Sequence, residues 1–393
     1  MTPRKTFPDL TRAFALMGIA VVNVFLFAQP LFSSFFGPGR GSSAGYAAAF
    51  IVIALCMAKS YTLFAYMFGA GVAQQMDAAT AQGGGFRGRH LRRMLGLLAL
   101  GVLNVWLLFY VDILFVYGLL GLLLFLFLGL GAPALRRLAI LMYVLQIVVW
   151  LLLVMVAWVF EVVAPDEAKK VLAEMEQDAT RRTAGFGAAD FATVAAMRFE
   201  AWMADTPAVF LQQGLGVLSF MLFGLHAART GLLDDPDAPL WSRSRRIYLP
   251  LGVLLSALGA WLMLQGDSDF ALTFVSGFAL VMIGSPLSTL GYLGWISAWS
   301  RGPGSTLRDF LVRAGGGSLT AYLLQGLIMS LVFTGYGLGL YGKSGAAAAV
   351  LIGLGAGIAS LLFVGWWRGR HALGPVEMLL RRWVYLGERP SGG

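Results

Sequence analysis

The sequence predicts an all-α polytopic membrane protein of about ten transmembrane helices. Both termini are expected to be cytoplasmic, and a helical extracytoplasmic segment is expected between helices 5 and 6. Three observations predict this. Of 393 residues, 58% are hydrophobic and 12% charged, with mean hydropathy +0.76; a soluble domain is about 45–50% apolar and about 25% charged. The apolar residues gather into runs long enough to cross about 30 Å of hydrocarbon. The basic residues fall mostly on one side of those runs.

The ten expected spans are 13–36, 46–74, 93–110, 112–131, 137–160, 206–227, 248–265, 270–295, 317–337 and 346–367. Alternating ten-residue stretches of barrel type are missing, so helices are the economical reading. The first run follows basic residues, as a signal peptide does, but no A-x-A-like site comes after it, so it reads as a retained first span. With the N-terminus inside, 21 of the 29 Lys and Arg residues lie on the cytoplasmic side and seven outside. Five of those seven share residues 161–205 with nine acids. This bias is the positive-inside pattern. It accounts for the net charge of +9 without a nucleic-acid partner. Lys59 alone belongs to neither side, in the middle of "LCMAKSYTLFAYMFGAG".

The chain reads as one integral-membrane domain over 1–393, with 161–205 as an extracytoplasmic amphipathic segment. "PDEAKKVLAEMEQ" opens a helix with proline and acids. Phe191, Val194, Ala195, Phe199 and Trp202 then recur at helical spacing, as expected of a folded connector or of a helix lying on the outer surface. Gly353 and Gly357 form a small-residue pattern for close helix contact.

Composition also excludes chemistry. Cys56 is the only cysteine, so neither an intrachain disulfide nor a thiolate metal cluster is expected. His90, His226 and His371 are far apart in sequence, and no metal site is expected. There is no phosphate-binding G-x-x-x-x-G-K-[ST].

The informative residues of a membrane chain are its polar ones. Asp9 and Arg12 share a face at the start of the first span, with Asn23 deeper. Lys59, Ser60, Tyr61, Thr62 and Tyr66 cluster in the second. Asn104 lies in the third span, Asp112 at the following outer hairpin, and Thr320, Tyr322 and Gln325 in the ninth. Amides and hydroxyls of this kind commonly tie helices together, and that is the expectation for Asn23, Thr320 and Gln325. A lysine in hydrocarbon needs an acid or loses its proton; Asp112 is the candidate by depth. Lys59 and Asp112 are thus the catalytic or ion-handling candidates. Arg87, Arg89, Arg92 and Arg93 in "GGGFRGRHLRR" suit phosphates of lipid head groups or of coenzyme A, or serve only as a positive-inside stop.

Five stretches together resemble a known family. "DLTRAFALMGIAVVNV" resembles "LDxxRGxALLGILLxN", and "AKSYTLFAYMFGAG" resembles "xKFxTLFxxLFGAG". "GLLALGVLNVWLLFYVDILFVYGLLGLL" resembles "GLLHxLLxWxGDILxxYALxGL". "GGGSLTAYLLQGLI" resembles "GRMALTNYLLQSLI", and "LGPVEMLLRRWVY" resembles "xGPxEWLWRxLTY". The matching patterns are those of the YeiB-like family of bacterial inner-membrane proteins, whose shared domain has no assigned function. They run in family order from residue 9 to about 385, and 300–393 resembles the family's C-terminal domain. Asp9, Arg12, Lys59, Asp112, Tyr322, Gln325, Glu377 and Arg381 keep the pattern.

The first span of that family is similar to a wider superfamily of membrane acyltransferases. The resemblance implies a multi-pass inner-membrane protein in a lipid bilayer. It further implies a pocket for a small-molecule substrate, acyl-CoA as donor, and acid/base work by histidine. Arg12 and the arginines at 87–93 would meet the anionic donor. Asn23, Lys59, Tyr61, Asn104, Asp112, Tyr322 and Gln325 would form the pocket. Two departures matter. Asn23 stands where sugar acyltransferases of the superfamily carry histidine, and Asn104 stands where the YeiB-like family carries its own. An amide is no base near neutral pH. A small-solute transporter, or a non-catalytic membrane component, is the alternative. Association into a homo-oligomer is compatible with each.

Overall fold

A computed structural model describes residues 6–30, 42–81, 84–235, 237–266 and 271–386. Arg4, Lys5, Arg40 and Arg389 of the charge count lie outside these residues, as do Gly83, Phe270 and the part of the expected first span beyond Pro30.

Every regular element among the described residues is helical. The order is α1 (Thr6–Ala28), α2 (Ser43–Leu55), α3 (Lys59–Ala81), α4 (Phe86–Leu107), α5 (Ile113–Leu124), α6 (Ala132–Trp158), α7 (Pro165–Phe186) and α8 (Phe191–Val209). Then follow α9 (Leu215–Arg229), α10 (Pro239–Arg243), α11 (Leu249–Met263), α12 (Leu272–Arg301), α13 (Thr306–Gly315), α14 (Ser318–Phe333), α15 (Ala346–Arg368) and α16 (Pro375–Val384). Helix starts carry local caps: the side chains of Ser42, Asp112, Asp190 and Ser305 accept the backbone N–H three residues on. Proline opens α6, α7 and α16, where its missing N–H costs nothing.

Seven described helices are long and apolar enough to cross a membrane, or eight if the pair α13 and α14, bent by 85°, counts as one span. The ten expected runs do not all qualify, for physical reasons. The third coincides with α4, whose first turns carry Arg87, Arg89, Arg92 and Arg93 and dilute its hydropathy. The fourth is short: α5 has 12 residues, extended by a 3₁₀ turn over Phe125–Phe127. The sixth is longer than expected, because α8 runs through a π-helical turn into α9 and makes one helix over 191–229.

Close backbone approach holds the bundle together. A Cβ on Gly69 of α3 would lie 1.8 Å from the Met221 carbonyl oxygen, and one on Gly224 of α9 would lie 1.9 Å from that of Tyr66. These two glycines let α3 and α9 touch along their backbones. The small-residue pattern expected at Gly353 and Gly357 meets α1, where added Cβ atoms would lie about 3 Å from Ala20 and Met17.

The segment 161–205 packs on one end of the bundle. Arg182 grips Asp205 with two bonds, 2.6 and 2.9 Å, and takes Asp178 at 2.5 Å. Arg198, 1% exposed, reaches across to α4 and donates to the Leu107 carbonyl oxygen at 2.8 Å. It also donates to Ser330 and Tyr336, both at 2.6 Å. It thereby satisfies carbonyls left over at the C-terminus of α4. The termini lie at the opposite end, where α16 packs on the start of α4.

Candidate functional site

The second span was expected to be one helix over 46–74. It is one span over Ser43–Ala81, interrupted inside by a three-residue turn. The helix α2 stops at Leu55, Cys56–Ala58 turn, and α3 starts at Lys59. Ala58 is left-handed, with φ 64°, a conformation costing an L-residue about 1–2 kcal/mol. A break at membrane depth frees carbonyls that lipid cannot satisfy. Here side chains satisfy them. Lys59 Nζ donates to the Ile53 carbonyl oxygen at 3.2 Å. Tyr292 of α12 donates to that of Leu55 at 2.8 Å, and Ser285 to that of Ala58 at 3.1 Å. Ser60 and Thr62 donate to Cys56 and Ala58.

Lys59 therefore does not pair with Asp112, and that expectation is corrected. The lysine side chain, 1% exposed, folds back onto its own span instead of reaching along the membrane normal. Asp112 has other partners. It caps α5 through Phe115 N–H at 2.5 Å and accepts Asn104 Nδ2 at 2.7 Å. Tyr322 Oη stands 3.5 Å from the carboxylate and accepts the Ile113 N–H at 3.4 Å. Carboxylates favour a helix N-terminus, where the backbone dipole is positive.

Beside the break is a cavity of about 710 Å³. Its walls are largely apolar and aromatic, with Trp150, Phe274 and Phe278 among them; Trp150 stacks on Phe278 at 4.4 Å. Its polar lining includes Asn23, Ser60, Tyr61, Asp112, Gln212 and Gln213. The broken turn itself, Cys56–Ala58, forms part of the lining. At the end of the bundle carrying α7, Glu161, Ala168 and Leu172 border it. A second hollow of about 10 Å³ adjoins through Asn23 and is lined also by Asn104, Tyr322 and Gln325.

The expected pocket residues thus divide. Asn23, Tyr61 and Asp112 line the cavity. Asn23 was expected to tie helices; its side chain has no hydrogen-bonding partner among the described residues and faces open space. Asn104, Tyr322 and Gln325 stand behind the floor. Gln325 is a helix tie as expected, donating to the Leu16 carbonyl oxygen at 3.3 Å and to Ser360 at 3.1 Å. Lys59 is buried in the wall and does not border the cavity.

Arg12 and the other arginines sit away from the cavity. Along α1, Arg12 is eleven residues from Asn23, roughly 16 Å at 1.5 Å per residue. It pairs with Asp9 at 2.8 Å. Arg92 donates to the carbonyl oxygens of Val384 and Leu386, Arg89 lies over the Tyr385 ring at 5.0 Å, and Arg93 over Phe68 at 5.7 Å. Arg87 is exposed. These side chains dock α16 and line the terminal face.

Glu377 has a role the sequence did not reveal. It accepts Leu319 N–H at 2.7 Å, Thr320 N–H at 3.2 Å and Thr320 Oγ1 at 2.6 Å, capping α14 just after the 85° bend. The "GPVE" and "SLTAYLLQ" stretches, more than fifty residues apart, are one capping unit.

Residues 227–387 match the model of a family described as protein of unknown function (DUF418). Over 398 residues the chain is 26% identical to "Uncharacterized protein YxaH" of Bacillus subtilis (strain 168), covering 97% of this chain and 94% of that one. Over 415 residues it is 27% identical to "Uncharacterized protein YeiB" of Escherichia coli (strain K12), covering 98% and 97%. The chain is therefore similar over nearly its whole length to these two proteins, and over residues 227–387 to that family. No solved structure matches. Within a YeiB-like protein the cavity, the broken span and the Asn104–Asp112 pair are the features from which a function must be argued, since both relatives are themselves uncharacterized.

Proposed function

We propose that this YeiB-like protein binds an amphiphilic small molecule inside a bacterial plasma membrane. The apolar body would rest on the Trp150 and Phe278 wall and the polar head on Asn23, Tyr61 and Asp112. The observation that carries the reading is the cavity of about 710 Å³ formed where the second span unwinds. Its volume is in the range of small-molecule sites, and its mixture of apolar walls with a few polar groups is typical of them. The test is ligand binding by the protein in lipid nanodiscs, read by thermal stabilisation and by mass spectrometry of co-purifying molecules. Leu153→Trp, which fills the cavity from α6, should abolish stabilisation while leaving the unliganded melting temperature within a few degrees. Stabilisation unchanged by Leu153→Trp would refute the site.

One observation favours transport as the use of this binding. Secondary transporters place discontinuous helices beside a mid-membrane site, and the second span is discontinuous beside this cavity. Acyl transfer rests on the resemblance and on Asn104, which touches Asp112 where the family carries histidine. An acyl-CoA donor held by Arg12, Arg92 and Arg93 would have to reach the floor through the packed core. Introducing Asn104→His and assaying acyl-CoA hydrolysis or transfer separates a lost enzyme from a binding protein.

A further inference from the structure

The lining of the cavity has a sign. Its acidic side chains among the described residues are two carboxyl groups, Asp112 on the floor and Glu161 at the α7 end; no lysine, arginine or histidine borders it. Lys59, although next to the broken turn in sequence, holds its ammonium on the Ile53 carbonyl oxygen, turned into the wall. Asp112 accepts close bonds from Asn104 and Phe115 and a longer one from Tyr322 Oη at 3.5 Å. Asn104, 3% exposed, has its Oδ1 without any partner beside the small hollow. Aromatic faces from Trp150, Phe274 and Phe278 complete the walls, and ring faces attract cations.

We infer that the cavity selects lipophilic cations, an organic ammonium or phosphonium whose charge faces Asp112 and whose apolar groups fill the aromatic wall. This deepens the binding reading above and rests on it. Anionic amphiphiles of the same size are excluded, because the acids bordering the lumen disfavour them and no lysine, arginine or histidine there would compensate.

Cys56, the only cysteine of the chain, borders the cavity and is a built-in reporter. The experiment uses the full-length protein in nanodiscs and follows Cys56 alkylation by a neutral maleimide. The competitors are tetraphenylphosphonium, tetraphenylborate and neutral triphenylphosphine oxide, with free concentrations corrected for partition into empty nanodiscs. Tetraphenylphosphonium should slow labelling at least tenfold at saturation, the neutral probe less, and tetraphenylborate less than twofold. Glu161→Gln, at the accessible end, should weaken phosphonium protection severalfold while the neutral probe protects as before. Equal or stronger protection by tetraphenylborate overturns the cation preference but leaves the binding cavity standing. Protection by none of the three overturns both.

Discussion

The motif "FGAG", residues 68–71, contains two glycines that the structure separates sharply. Gly69 faces α9, and a Cβ there would sit 1.8 Å from the Met221 carbonyl oxygen and 2.6 Å from its carbon. Ordinary carbon contacts begin at about 3.5 Å, so the new methyl would intrude by more than about 1.5 Å. The obstacle is backbone, which no rotamer change can move. The helices must part, and Gly224 makes the reciprocal contact with the Tyr66 carbonyl oxygen, so parting loses both. Overpacking typically costs about 1–3 kcal/mol; a rigid obstacle met twice puts Gly69→Ala at or above about 3 kcal/mol. Gly71, two residues on, would meet nothing nearer than Arg12 Nη2 at 3.7 Å. There the change should be neutral or gain up to about 1 kcal/mol from helix propensity. The assay is reversible unfolding in mixed micelles with added SDS, both variants side by side. Equal destabilisation by the two substitutions would refute the reasoning, because propensity and generic crowding would then explain the motif.

Further outcomes follow from other contacts. Asp205→Asn leaves Arg182 buried with Asp178 as its remaining acid; breaking such a pair should cost about 2–4 kcal/mol, measured by thermal melting. Burial alone would raise the Asp178 carboxyl, but hydrogen bonds from Arg181 and Arg182 outweigh it and hold Asp178 below the usual carboxylate range. A depressed carboxyl stabilises the fold above its unfolded value of about 4 and ceases to as pH falls through its folded value. Proteolysis of the α7–α8 segment should therefore accelerate below about pH 4 and, in Asp178→Asn, lose that dependence. Glu377→Ala removes the cap on α14 and should cost about 1–2 kcal/mol, with Glu377→Gln losing less; equal losses would deny the charge a role. Ala58→Gly relieves a left-handed alanine and should gain about 0.5–1 kcal/mol in the same SDS titration.

Hydropathy made the helical membrane class legible, and charge bias gave an expected orientation. The resemblance singled out Asp112 and Glu377, but not the hydrogen bonds they make. The pairing of Lys59 with Asp112 failed because depth in a membrane was the only coordinate the sequence offered. Nothing in Cys56–Ala58 signals a break, since these residues are ordinary helix formers. The sole hint was Lys59 with Ser60 and Thr62, three side chains able to serve loose carbonyls. Arg182 and Arg198 count in the sequence only as outer charges of the 161–205 segment, yet both are buried. Their partners, Asp205, Leu107 and Ser330, come from distant segments, and periodicity carries no such information.

The lysine at the break also bears on how the chain enters the membrane. Its acceptor, the Ile53 carbonyl oxygen, is six residues upstream, whereas Ser285 and Tyr292 are 227 and 237 residues from the carbonyls they serve. As the second span leaves the translocation machinery, Lys59 already carries its own counterpart, while α12 has yet to be synthesised. The segment can be released into lipid with its most costly group satisfied. The Leu55 carbonyl oxygen, served by Tyr292, remains open until the last third of the chain arrives, so the broken span is finished late. Chains truncated before residue 272 should therefore insert with the second span in place but its turn exposed to cleavage.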